Sequence, residues 1–264
     1  NSVTEVTVGA GLKSIGSYSF YGCKSFTALM LPNSFTTMGE SAFEGCSKLT
    51  IAKLGESLTA VPAKAFKNCT SLSEMIVPAT STSIGNQAFY NNSGLATVTM
   101  YEGLETIGDE VFWNNSGMMQ FSIPGTVTSI NCFYGCTRTT YFTFRDGDET
   151  LTINNANCRS SIIDSKTTSS TYRDRYYDYF YDCPIRFLTL GRNIKFSYKE
   201  SQSMYDINCD SFKQVYRTTA PFVNNQNLRS VTIGPKVTFL WHHLFNGCSN
   251  LATLKMGQNL QYIY

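Results

Sequence analysis

The residue types that could do chemistry in this chain are few, and their spacing decides what each could do. Nine cysteines are present, an odd number that leaves at least one thiol outside any complete disulfide framework. Cys23, Cys46 and Cys69 stand 23 residues apart. A zinc site needs four convergent ligands and usually draws two from one C-x-x-C hairpin, which this spacing does not supply. His242 and His243, the only histidines, are adjacent, and no serine elbow, H-E-x-x-H pair or phosphate loop accompanies them. The carboxylates Glu40, Glu44, Glu102, Glu105, Asp109 and Glu110 occupy variable, solvent-type positions, with nothing to raise one pKa for acid catalysis. Asp146, Asp148 and Glu149 cluster but lack the spacing and glycine of an EF-hand loop. The reading is no enzyme, no metal and no cofactor.

A different chemistry, recognition, is suggested by the run Tyr172-Arg173-Asp174-Arg175-Tyr176-Tyr177-Asp178-Tyr179-Phe180-Tyr181. Tyrosine and arginine dominate binding hot spots because they bury large areas at modest entropic cost while keeping polar tips. Tyr172, Arg173, Arg175, Tyr176, Tyr177, Tyr179 and Tyr181, with Tyr141, are the candidate ligand-binding residues. The alternative is that these tyrosines pack over an irregular stretch of the fold.

The elements that must position these residues are legible from composition and period. Apolar residues at 42% against 15% charged describe an ordered chain. The net charge of +2 carries no basic stripe for nucleic acid. No apolar stretch is long enough to span a bilayer, and the first ten residues do not read as a secretory leader.

Ile15, Met38, Val61, Ile84, Ile107 and Ile130 recur every 23 residues. Five residues later come Phe20, Phe43, Phe66, Phe89 and Phe112, with Phe133 closing a unit shortened by two. Three beyond these stand Cys23, Cys46, Cys69, Asn92, Asn115 and Cys136, then Phe26, Leu49, Leu72, Leu95 and Met118. Paired apolar positions follow, such as Leu29 and Leu31 or Met75 and Val77. Such a pair flanked by Ser, Thr or Lys and ended by Pro32, Pro78 or Pro124 predicts a short strand with one inward face.

The fold class read from this is α/β repeat: a solenoid with a parallel sheet of short strands, one per coil, opposite short helical turns, with an irregular insertion. The segment Ile84 to Phe89 is read as one such helical turn. Gly16, Gly39, Gly85 and Gly108 are placed where a sharp bend would want a positive φ. The Cys or Asn position is read as a ladder of small side chains hydrogen-bonding a neighbouring coil, although stacked coils also lie within disulfide range.

After Phe144 the register breaks; one shortened unit shows at Phe180, Cys183, Leu188 and Leu190, and the period returns at Phe222 and Phe245. A single solenoid over 1–264 is expected, with regular repeats over 1–144, insertion and degenerate repeats over 145–218, and regular repeats over 219–264. Partial coils at both ends, without polar caps, imply flanking repeats or domains. A bridge from Cys158 to Cys183 would staple the insertion in an oxidising compartment, and the pairing of Cys132 and Cys209 is open. Asn68-Cys69-Thr70, Asn91-Asn92-Ser93 and Asn114-Asn115-Ser116 match glycosylation acceptors but overlap the ladder turn, where chance suffices.

Met38-Gly39-Glu40-Ser41-Ala42-Phe43-Glu44-Gly45-Cys46-Ser47-Lys48-Leu49 resembles, almost position for position, the I-G-x-x-A-F-x-x-C-x-x-L unit of the BspA-like leucine-rich-repeat family. The resemblance covers Val3 to Phe144 and Phe222 to Ile263. It implies a secreted or surface-anchored protein, and an adhesin for a host or extracellular-matrix protein such as fibronectin or fibrinogen. A structural spacer and a carbohydrate-binding accessory module are the alternatives. On the outward side of the strands the sequence places Ala28, Ile51, Glu74, Thr97, Gln120 and Tyr141 in one column and Met30, Lys53, Ile76, Thr99, Ser122 and Thr143 in the next.

Overall fold

The computed structural model describes residues 4, 6, 8–131, 133–153, 180, 183–196, 221–222, 225–241 and 244–263. Each 23-residue unit makes one coil, and each coil contributes a short strand to two parallel lanes rather than to one. The first lane is built, among the described residues, from Ala28–Met30, Ile51–Lys53, Glu74–Ile76, Thr97–Thr99, Gln120–Ile123, Tyr141–Phe144, Phe187–Arg192, Ser230–Lys236 and Thr253–Lys255. Its register is that of the sequence repeat: Leu29 pairs with Ala52, Met75 with Val98, Phe121 with Phe142, and Leu188 with Val231. Alternate residues point inward, which is why Leu29, Met75, Phe121 and Leu188 are buried while their neighbours are not.

The second lane was not foreseen. The aliphatic anchors that looked like the start of a helical turn are themselves strand residues, in Ser14–Ile15, Thr37–Met38, Ala60–Val61, Ser83–Ile84, Thr106–Ile107, Ser129–Ile130, Leu151–Ile153, Ile194–Phe196, Phe239–Leu240 and Tyr262–Ile263. All pairs in this lane are parallel, for example Ile84 with Ile107 and Ile130 with Ile153.

The expected helical turns are also corrected, since no helix occurs among the described residues. In the turn wall from anchor to cysteine two backbones are left-handed in each of the first five coils, as at Lys64 (φ 55°) and Asn68 (φ 61°). An α-helix cannot continue through such residues. The N–H groups of Lys64, Phe66 and Asn68 donate instead to the carbonyls of Asn86, Ala88 and Tyr90 in the next coil, each at 2.9 Å. Donors that a helix would use internally therefore tie coil to coil.

The glycines after the anchor do another job than the one expected. Positive φ falls on Gly22 and Gly45, and on Asn68, Asn91 and Asn114 in the same position, not on Gly16, Gly39, Gly85 or Gly108. A Cβ on Gly39 would lie 2.2 Å from the Ser17 nitrogen, and one on Gly85 2.4 Å from that of Ala63. These glycines let adjacent coils touch backbone to backbone.

The core is a column of phenylalanines. Phe20, Phe43, Phe66, Phe89, Phe112, Phe133, Phe180, Phe222 and Phe245 stack successively with ring centroids 5.0–6.2 Å apart. The column runs on through Phe180, in the stretch where the sequence period is lost. In a regular coil five residues separate anchor from phenylalanine. From Ile153 to Phe180 and from Phe196 to Phe222 the separation is far longer, yet Ile153 pairs with Phe196 and Phe180 stacks on Phe222. Each of these long stretches of sequence thus begins at a second-lane anchor and ends at a phenylalanine of the column.

Candidate functional site

The cysteine positions are structural, and the geometry says how. Cys46 Sγ donates to the Phe20 carbonyl at 3.2 Å, Cys69 to Phe43 at 3.1 Å, Cys136 to Phe112 at 3.2 Å, Cys183 to Phe133 at 3.1 Å and Cys248 to Phe222 at 2.9 Å. Asn115 makes the same bond to Phe89 through Nδ2 at 2.9 Å, while Asn92 Oδ1 accepts from the Cys69 N–H at 2.8 Å. Burial pushes the Cys46 thiol up to about 12 and raises those of Cys69 and Cys136, so these sulfurs stay protonated donors and poor nucleophiles.

Among the six described cysteines no disulfide is formed. The ladder pairs are therefore not oxidised and Cys183 is bridged to none of them; Cys132, Cys158 and Cys209 lie outside the described residues. Among the described residues no group of three or more His, Cys, Asp or Glu side chains converges as a metal site.

The candidate recognition surface is the outward side of the first lane. Met30, Ile51 and Ile76 are each about half exposed there, as expected from their columns. Tyr141, 52% exposed, stacks on Phe187, 40% exposed, with ring centroids 4.7 Å apart and planes 14° from parallel. Two neighbouring rungs hold this pair, Tyr141 being the register partner of Phe187. Phe187 escaped the sequence reading, which registered the inward Leu188 and Leu190. Aligning it one position before Leu188 with Tyr141 in the repeat frame would have found it.

In the second column Thr143, Thr189 and Thr232 follow one another in register. At their end lies a depression of about 390 Å³ lined by Glu102, Thr143, Phe144, Arg145, Asp146 and Thr189. Arg145 reaches across it to Glu102 at 3.1 Å and donates to the Met100 carbonyl at 2.6 Å. Beneath, Arg192 is wholly buried and donates to the Gly125 carbonyl and, at 2.8 Å, to that of Pro124. Burial lowers its pKa to about 10, still well above neutrality, so it remains a cation held by backbone dipoles.

Of the other sequence-selected residues, Asp148 pairs with Lys236, which holds its carboxyl below the usual range. Asn68, Asn91 and Asn114 occupy left-handed turn positions, and Asn91 Nδ2 donates to Asn68 Oδ1 at 2.9 Å. Tyr172, Arg173, Arg175, Tyr176, Tyr177, Tyr179 and Tyr181, and both histidines, lie outside the described residues. Ile153, the described residue before that run, and Phe180, the one described residue within it, sit in the second lane and the turn wall, on other walls of the coil than Tyr141.

The profile of the BspA type leucine-rich repeat region matches in six copies, over residues 1–119, 59–186 and 178–264. The chain belongs to the BspA-type leucine-rich-repeat family. The left-handed turns, thiol ladder and phenylalanine column are thus the three-dimensional form of the BspA-type unit. A leucine-rich-repeat protein of T. pallidum is similar in structure, with 25% identity over 55% of this chain and 68% of that one (TM-score 0.51). One from Bacteroides ovatus has 20% identity over 96% of this chain (TM-score 0.48), and this chain spans 66% of its length. A leucine-rich cell surface protein of Faecalibacterium prausnitzii has 15% identity over 92% of this chain and 76% of that one (TM-score 0.37). No curated protein matches the sequence. Among the described residues no helix is long and apolar enough to cross a membrane.

Proposed function

We propose that this BspA-type repeat chain is an extracellular or cell-surface protein-binding scaffold, adhesin-like rather than catalytic, whose partner is a host or matrix protein. The observation that carries the reading is the outward face of the first lane, where Met30, Ile51 and Ile76 stand about half exposed in successive coils. Large apolar side chains concentrated on one broad face mark interaction surfaces. A hollow of about 440 Å³ beside Met30, lined by Val8, Ala10, Leu31, Pro32, Asn33 and Lys53, gives that face a recess of mixed polarity. The Tyr- and Arg-rich run from Tyr172 to Tyr181 is a second contributor, supported by its composition.

The test is saturable binding of the purified chain to immobilised fibronectin, fibrinogen and collagen. Variants Ile51→Asp with Ile76→Asp, and Tyr176→Ala with Tyr177→Ala, are run beside it, with thermal unfolding to confirm folding. Binding weakened by the first pair supports the face, and by the second pair the run. No saturable binding to any of the three proteins turns the reading toward a spacer.

A further inference from the structure

The aromatic pair of the first lane differs from the other aromatic stack exposed to the outside. On the turn wall Trp113 is sandwiched between Tyr90 and Tyr134, at 6.3 and 4.4 Å, and Lys67 Nζ lies 5.0 Å over the Tyr90 ring. Trp113 keeps only 7% of its surface, so it has no ring face left to offer. Among the described residues Phe187 stacks on one ring alone, that of Tyr141. On its other side the next rungs carry Ser230 and then Thr253, its successive register partners, both too short to cover a phenyl ring.

Next to this open face runs a row of hydroxyls. Thr143, Thr189 and Thr232 are half-buried, and their hydroxyls make no hydrogen bond among the described residues. Each offers one donor and two acceptor lone pairs. The row ends in the depression where Glu102, Arg145 and Asp146 add carboxylate acceptors and guanidinium donors. An apolar wall with a few placed polar groups is the general form of a small-ligand site.

We propose that Phe187, Thr189, Thr232 and Arg145 form a subsite for a neutral glycan. A pyranose ring presents an apolar C–H face, which fits the open ring of Phe187, and a rim of hydroxyls, which fits threonine hydroxyls and a charged pair that both donate and accept. Neutrality follows from charge: Arg145 is already paired with Glu102 at 3.1 Å, and the remaining charged residue of the lining is the carboxylate of Asp146, so no unpaired cation lines the depression to hold a uronic or sialic acid. This subsite stands on its own geometry and does not rest on the protein-binding reading.

The test is retardation of the purified chain in native gels containing galactomannan, xyloglucan, mixed-linkage β-glucan or, as an acidic control, polygalacturonate. The expected result is retardation by at least one neutral polysaccharide, weakened about tenfold in Phe187→Ala and about threefold in Thr189→Val. Both variants are checked for an unchanged circular dichroism spectrum. If a variant misfolds, saturation-transfer NMR on the unaltered chain with the matching hexasaccharide must show transfer from aromatic protons. Silence with all three neutral polysaccharides, retardation unchanged in folded Phe187→Ala, or retardation by polygalacturonate alone overturns the proposal. Failure here with retained fibronectin or fibrinogen binding would leave the protein-binding reading intact.

Discussion

Cys69 Sγ donates a hydrogen bond to the Phe43 carbonyl, 3.1 Å away in the preceding coil, so a position that looks like a metal ligand in the sequence is a rivet between two turns. Both groups are fully buried. Removing the thiol takes one of two donors from that carbonyl, which keeps the Cys46 N–H at 3.2 Å, and Cys69→Ala should cost about 0.5–1.5 kcal/mol. Cys69→Asn should cost less, because Asn115 makes the equivalent bond to Phe89. Urea unfolding of the two variants checks the order; an asparagine variant weaker than the alanine one would contradict it.

The same burial makes stability depend on alkaline pH. Unfolded thiols titrate near about pH 8.5, whereas Cys46 in the fold keeps its proton until about 12. Above its unfolded value the unfolded chain binds fewer protons than the native one, so stability falls as pH rises. Below that value the contribution is fully present. The slope is about 1.4 kcal/mol per pH unit for each such thiol between those limits. Cys46→Ser, which keeps a hydroxyl donor and does not titrate there, should flatten the wild-type slope by that amount in unfolding curves at pH 9, 10 and 11. Equal slopes would show that the thiol is not responsible.

Phe66 stacks on Phe43 and Phe89 at 5.4 and 6.0 Å and is fully buried. Phe66→Ala opens a cavity that two stacked coils cannot fill by collapsing, and about 3–5 kcal/mol is the expected loss. Phe20, at the end of the column and only partly buried, should lose less on the same change. Thermal unfolding midpoints of the two variants compare them directly.

Arg192 spans two coils to reach Pro124 and Gly125, and the path passes Gly147. A Cβ on Gly147 would lie 2.3 Å from the Gly125 oxygen and 3.0 Å from Arg192 Cδ. Gly147→Ala should therefore destabilise by about 1–3 kcal/mol through overpacking. Arg192→Met, which removes the donors but keeps the volume, should cost about as much through the orphaned Gly125 carbonyl, while that of Pro124 keeps the Val127 N–H at 3.2 Å. Chemical unfolding of each variant tests this, and a neutral Arg192→Met would mean water replaces the guanidinium.

Much of the architecture was legible because a 23-residue period fixes which side chains meet. The inward phenylalanines, the thiol ladder and the outward columns all follow from it. The second lane was not legible: anchor pairs such as Ala60–Val61 are too short to show alternation, and the Ala-Phe run after them mimics a helical face. Residues such as Lys64 and Gln87 in left-handed turns carry no local signal for that conformation, which the inter-coil hydrogen bonds impose. At the candidate site Tyr141 was readable from its column, whereas Phe187 and Arg192 lie beyond the point where the period fails. Arg192 in particular reads as a solvent residue until Gly147 and the Pro124 turn are placed around it.

The pairing of Ile153 with Phe196 and the stacking of Phe180 on Phe222 have a consequence for how such a protein can diversify. The frame holds the entry and exit of each long connection, so its stability is insulated from the length and composition of what lies between them. Doubling the number of residues between two fixed points costs only about 0.6 kcal/mol in closure entropy. Foreign peptides grafted between these anchors, and new sequence acquired there over generations, would be carried by the coils as cargo, and that stretch is where an engineer would begin to build display libraries on this scaffold.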